Sequence, residues 1–413
     1  MDDRAEGTPG RLVVAEGVTE IPAGAYRGRA DIREVVLPAS VVSIGTNAFR
    51  GCSGIADLRL PDALQTIGHA AFASCTGVVH LRLPAALRSV GKHAFSRCTG
   101  IVDVHLPDTL RSIGKGAFFH CSGLVDVRLP GTLRSIGNQA FYGCKGIVSL
   151  HLPGTLRSID DSAFCRCTGI VRLHLPYALE SVGHSAFQGC SGIADLRLPA
   201  ALQSLGDYAF SGCTSVVGLR LPDTLQAVGD WAFGGCAAVV ELHLPSALRS
   251  VGKGAFHGIG ITALVLPAGL ASVGEGSGAG HSLGAFHGCA SLAHVLAPDA
   301  LARGATADAA RVFTGCPVLA AGGLTPHSAV PPLRRNFWHW TMHWAWCTPG
   351  QRTCVLAVLV CELRTDRLAE QAGQARGAEA GQAAPLPSLA HDMWLLILQF
   401  VPRRCLGGRP CSP

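Results

Sequence analysis

A mainly β solenoid of about twelve 23-residue coils, followed by a small helical C-terminal region, is the fold class that three periodicities predict. Phe recurs at 49, 72, 95, 118, 141, 164, 187, 210, 233 and 256, each time preceded by Ala. Leu-Pro pairs keep the same step from Leu37-Pro38 to Leu244-Pro245, and Cys follows each Phe by three places from Cys52 to Cys236. Three registers held together over nine or ten copies mark stacked repeats, none of which can bury its apolar face alone.

The unit reads I-V-x-L-x-L-P-x-x-L-x-S-I-G-x-x-A-F-x-x-C-x-G. In Ile101-Val102-Asp103-Val104-His105-Leu106-Pro107 the alternation sends Val104 and Leu106 inward and Asp103 and His105 outward. Pro107 closes the strand because it lacks an N–H for the ladder. Leu110 and Ile113 turn inward on a second short extended segment, Gly114 permits a tight bend, and Ala117-Phe118 fills the coil centre. A weaker copy precedes the series, with Val14, Val18, Ile21 and Tyr26 at the positions of Leu37, Val41, Ile44 and Phe49. After Phe256 one residue is lost before Leu266, and eight Gly/Ser-rich residues are inserted between Gly274 and Ala285. Phe286, Cys289, Phe313 and Cys316 are the last echoes, in keeping with atypical terminal repeats.

The L-P, S-I-G and A-F-x-x-C landmarks resemble those of the BspA-type leucine-rich repeat over residues 11–318. That resemblance implies a leucine-rich-repeat solenoid, and with it adhesion or protein binding rather than catalysis.

Composition narrows the class further. Charged residues are 15% and aromatics 6%, against Gly 51 and Pro 24, which suits many turns and few long surface helices. MDDRAEGTPG is acidic and lacks the apolar run of a signal peptide, so an intracellular, cytoplasmic location is expected. No stretch is long enough for a membrane span; the runs at Val355–Cys361 and Trp394–Val401 are too short. The regular Cys column lacks the tight C-x₂₋₄-C pairs of zinc sites. It reads as a packed ladder of small thiols, with Ile259 substituting in one coil.

The candidate binding face is the outward side of the first strand. One column carries Arg59, Arg82, His105, Arg128, His151, His174, Arg197, Arg220 and His243. Two places upstream lie Asp57, His80, Asp103, Asp126, Ser149, Arg172, Asp195, Gly218 and Glu241. Six Arg against five acids leave the face at +1, too little for the single-signed footprint of a nucleic-acid site. Either the face binds a protein partner, or it is a solvated surface with Asp–Arg pairing between coils. A second Arg column (Arg88, Arg111, Arg134, Arg157, Arg249) lies on another side, interrupted by Gln and Glu180. No nucleophile motif, phosphate-binding loop or acid/base pair is present, so neither a catalytic site nor a cofactor is expected.

The rest of the chain is read from composition. Residues 1–10 are expected to be disordered. Residues 319–370 form a helical cap, rich in Trp around Trp338, Trp340, Trp344 and Trp346. His339, His343 and Cys347 share a face there if helical, but packing is a fuller account of four Trp than zinc. A helix is predicted from Gln351 to about Glu370, started by Thr348-Pro349, and residues 371–386 are a low-complexity linker. In 387–413, Leu389, Met393, Ile397 and Phe400 keep helical spacing until Pro402. The segment Leu386–Phe400 resembles the opening helix of an F-box, which implies a ubiquitin-ligase substrate adaptor as the alternative to a scaffold. A surface adhesin is the third reading. The partner and the oligomeric state are not written in the sequence.

Overall fold

The structure is a computed structural model that describes residues 10–274, 284–297, 312–319 and 324–326. The chain divides into two compact units, Met1–Met342 and His343–Pro413, and every described residue belongs to the first. Leu324–Pro326, expected within the helical cap that begins at residue 319, instead form a strand paired in parallel with His294–Ala297, because the stacked ladder runs on past the last stacked phenylalanine. The helix from Gln351, the linker and the tail helix lie outside the described residues.

Most coils lay down a three-residue strand and a two-residue strand, such as Asp103–His105 and Ser112–Ile113. Both pair in parallel with the same positions of neighbouring coils. Asp126, Val127 and Arg128 stand beside Asp103, Val104 and His105, and Ser112 stands between Ser89 and Ser135. The 23-residue step is what makes this register possible, because each side chain meets its own counterpart one coil away. Inward residues are almost fully covered, as Val104, Leu106, Leu110 and Ile113 show.

The third side is a wound turn around Ala-Phe, and it also carries a ladder. The N–H groups of Asn47, Phe49 and Gly51 donate to the carbonyls of His69, Ala71 and Ala73 in the next coil. Those of Ala48, Arg50 and Cys52 donate back three residues, to Gly45, Asn47 and Phe49. The N–H groups from Asn47 through Cys52 are thereby all satisfied, as buried backbone requires. The geometry needs left-handed residues, at Asn47 (φ 56) and Gly51 (φ 77) in this coil.

At the centre the rings stack. Phe141 is wholly buried, with the rings of Phe118 and Phe164 each 5.3 Å away and nearly parallel to it. The stack continues past the insertion, from Phe256 to Phe286 at 5.1 Å and on to Phe313 at 5.6 Å. The cysteines are more than filler. Cys144 Sγ donates to the Phe118 carbonyl one coil back at 3.1 Å, and the bond recurs from Cys52 through Cys236. Burial pushes these thiols up, Cys121 and Cys236 to about 12, so the ladder is one of protonated S–H donors.

Gly114 differs from its expected role. Its φ is not positive; rather, a Cβ there would lie 2.5 Å from the Val90 carbonyl oxygen. Close approach between coils, and not a tight bend, requires the glycine.

Candidate interaction face

The parallel register places the predicted site residues as two exposed columns on one sheet face. Along each strand the middle residue is buried and its neighbours point out, as in Asp57–Arg59, Asp126–Arg128 and Gly218–Arg220. Arg59, Arg82, His105, Arg128, His151, His174, Arg197 and Arg220 are exposed; His243 is half-buried. In the upstream column Asp57, Asp126 and Asp195 are exposed, while Asp103 and Glu241 are half-buried. His151 and His174 stack face to face at 4.2 Å.

Charge pairing on this face runs mostly within a strand, not between coils as expected. Arg59 reaches Asp57 at 3.0 Å, Arg197 reaches Asp195 at 3.1 Å, and Arg128 lies 3.6 Å from Asp126. The register is the cause: it sets Asp126 beside Asp103 and Arg128 beside His105, so an arginine's carboxylate is two residues back on its own strand. His80–Asp103 and Arg11–Glu34 are the pairs that cross coils here. Exposed pairs of this kind add little to stability, so the fold does not depend on these side chains.

An apolar column that the consensus half reveals runs alongside. Val79, Val102, Val125, Val148, Val171, Val217 and Val240 are 39–54% exposed, and Ala56 and Ala194 hold the same position in their coils. Their backbones continue the ladder, Val125 N–H donating to the Val102 carbonyl at 2.8 Å. The signal was the pair Ile101-Val102: consecutive residues of an extended segment cannot both face the core. Ile101 is buried and Val102 is left in water.

Elsewhere, a cavity of about 460 Å³ opens over the two-residue strands, lined by Asn138, Ser158, Asp160, Asp161, Ser181 and Ser204. Asp160 stands where other coils have glycine; burial, then the charge of Asp161, holds its carboxyl above the usual range. Asp161 is already committed, accepting a hydrogen bond from the His184 N–H at 2.8 Å. The cavity therefore offers one perturbed carboxyl and a row of hydroxyls, without a partnered nucleophile. Cys165 is buried and pushed up to about 11, chiefly by that burial, which makes it a poor nucleophile. Among the described residues no group of three or more His, Cys, Asp or Glu is placed to hold a metal ion. Nor is any helix there long and apolar enough to cross a membrane. Leu389, Met393, Ile397 and Phe400 lie outside the described residues, as do His339, His343 and Cys347.

Comparison with known proteins agrees with this architecture. The sequence profile of the BspA type leucine rich repeat region matches in six copies, over residues 19–148, 90–217 and 213–304. Among solved structures, a leucine-rich repeat protein from Bacteroides ovatus is 26% identical, with a TM-score of 0.49 over 61% of this chain and 72% of its own. The pneumococcal vaccine antigen PcpA is 18% identical, with a TM-score of 0.40 over 69% and 71%. A leucine-rich repeat protein of T. pallidum is 28% identical, with a TM-score of 0.33 over 51% and 79%. No curated protein sequence matches. The family match covers well over half of the residues, and with the stacked coils described above it establishes that this chain belongs to the BspA-type leucine-rich repeat family.

Proposed function

We propose that the protein is a non-enzymatic interaction scaffold that binds a protein partner across the strand face from Asp57 to His243. The observation that carries this reading is the valine column. Seven β-branched side chains stand half in water on a fold whose Phe, Ala and Cys columns are fully buried, and contiguous exposed apolar surface marks interaction sites. The Asp and Arg/His columns beside it supply the polar rim that such interfaces use for orientation. The nearly balanced charge of that rim suits a folded protein surface better than a polyanion.

The test separates face from fold. Val125→Glu with Val148→Glu, and separately Arg128→Glu with Arg197→Glu, alter only exposed side chains. Partners captured by the full-length chain should be lost with both pairs while the melting temperature stays within about 2 °C, as expected for surface changes. Retention of every partner by both variants would reject the strand face as the docking surface.

A further inference from the structure

Charge is unevenly spread along the solenoid. Residues 81–170 hold eleven Lys/Arg against five Asp/Glu, a net +6, whereas 171–274 hold five against six, a net −1. Part of the excess gathers on the turn side, away from the strand face.

The residue two places after each ladder phenylalanine is left-handed in coil after coil. It is usually glycine, as at Gly51, Gly143, Gly189, Gly212 and Gly235. The column carries a side chain at Ser74 and then at Arg97 (φ 60), His120 (φ 56) and Arg166 (φ 59). This conformation is unfavourable for an L-residue other than glycine, and side chains also hold it two places before the ladder phenylalanines, from Asn47 to Trp231. These three sit on the basic stretch, and His120 and Arg166 flank one aromatic pair. Phe119 and Tyr142 stack at 5.0 Å, His120 lies 4.5 Å from Phe119 and 5.3 Å from Tyr142, and the Arg166 guanidinium lies 5.9 Å from the Tyr142 ring centre. Arg97, Lys145 and Arg166 are exposed, and the ion pairs among the described residues all lie elsewhere. Burial first, then the charges of Arg97, Lys145 and Arg166, hold His120 below its ordinary value.

We propose that this turn-side patch binds a linear sulfated polysaccharide, with Arg97 and Arg166 gripping sulfate groups and Lys145 between them. Guanidinium is the side chain suited to two-pronged contacts with oxyanions. Arg97 and Arg166 are three coils apart, roughly 14 Å at the spacing of paired strands, so the patch fits a polymer charged along its length better than a small anion. Two other polyanions fit less well. A peptide gains no backbone bonds here, since the N–H groups of Arg97 and His120 already donate to Phe119 and Tyr142. Single-stranded nucleic acid uses open ring faces, and those of Tyr142 are taken by Phe119 and Arg166.

The experiment uses the full chain and heparin as probe, with poly(U) RNA and poly-glutamate alongside. Arg97→Gly with Arg166→Gly restores the residue that the column uses elsewhere, so folding is preserved while two cations go. Arg88→Gln with Arg111→Gln removes two charges from the other arginine column, where Gln203 and Gln226 already occur. Heparin affinity should fall at least tenfold in the first variant and less than threefold in the second. Heparin should also raise the titration midpoint of the His120 ring, followed by NMR. Equal losses in both variants, a His120 midpoint that heparin leaves unchanged, or tighter binding of poly(U) or poly-glutamate than of heparin would each overturn the proposal.

Discussion

Truncating one ring in the middle of the phenylalanine stack should cost far more than truncating the ring that begins it. Phe141 has no exposed surface and lies between two near-parallel rings at 5.3 Å. Phe141→Ala removes the buried side chain and leaves a cavity, a change worth about 3–5 kcal/mol. Stacked aromatic pairs contribute about 0.5–1.5 kcal/mol beyond their burial, and two such contacts go at once, which places the loss toward the upper end. Tyr26 opens the stack with Phe49 at 5.2 Å and is only half-buried. Tyr26→Ala should cost roughly 0.8–1.5 kcal/mol, half the value for a fully buried side chain. Urea unfolding followed by circular dichroism measures both. Equal destabilisation at the two positions would refute a core built by stacking whose ends are less supported than its middle.

Two further predictions concern the contacts between coils. Gly114→Ala forces a Cβ against the Val90 carbonyl and should cost about 1–3 kcal/mol, whereas Gly131→Ala, which meets nothing within 4 Å, should change stability by less than about 0.5 kcal/mol; similar melting curves for the two would contradict the close-approach account. The thiol ladder should make the fold sensitive to alkali. An unfolded thiol ionises near about 8.5, while Cys121 and Cys236 are raised to about 12. Stability is therefore complete below the unfolded value and falls as pH rises toward the folded one, by up to about 1.4 kcal/mol per pH unit per thiol. Cys121→Ala should lose less stability between pH 8 and pH 10 than the parent chain; an equal loss would show that the folded thiol ionises as readily as the unfolded one.

The repeat itself was legible because every coil solves one packing problem with the same residues. Ala-Phe, Leu-Pro and Cys positions read at a 23-residue step are the buried stack, the strand end and the inner thiol of the structure. The inward and outward sides of Asp103–His105 followed from alternation alone. Three features did not. Alternation describes strands, so it was silent about the wound turn, where non-glycine residues such as Arg97 and His120 take positive φ. The strand reading assigned no side to Ile101 or Val102, of which only Ile101 reaches the core. The direction of charge pairing depends on register: a 23-residue repeat pairs like positions with like, and this turns Arg59 and Arg197 back onto their own strands.

The central claim is that the strand face, with its valine column, is the docking surface, and side-chain footprinting by hydroxyl radicals on the captured complex tests it most directly. The account predicts protection of Val102, Val125 and Val148, together with His105 and His151, while Tyr208 and Trp231 on the turn side keep the reactivity they have in the free chain. Protection of Tyr208 and Trp231 with unchanged labelling of the valines would contradict it.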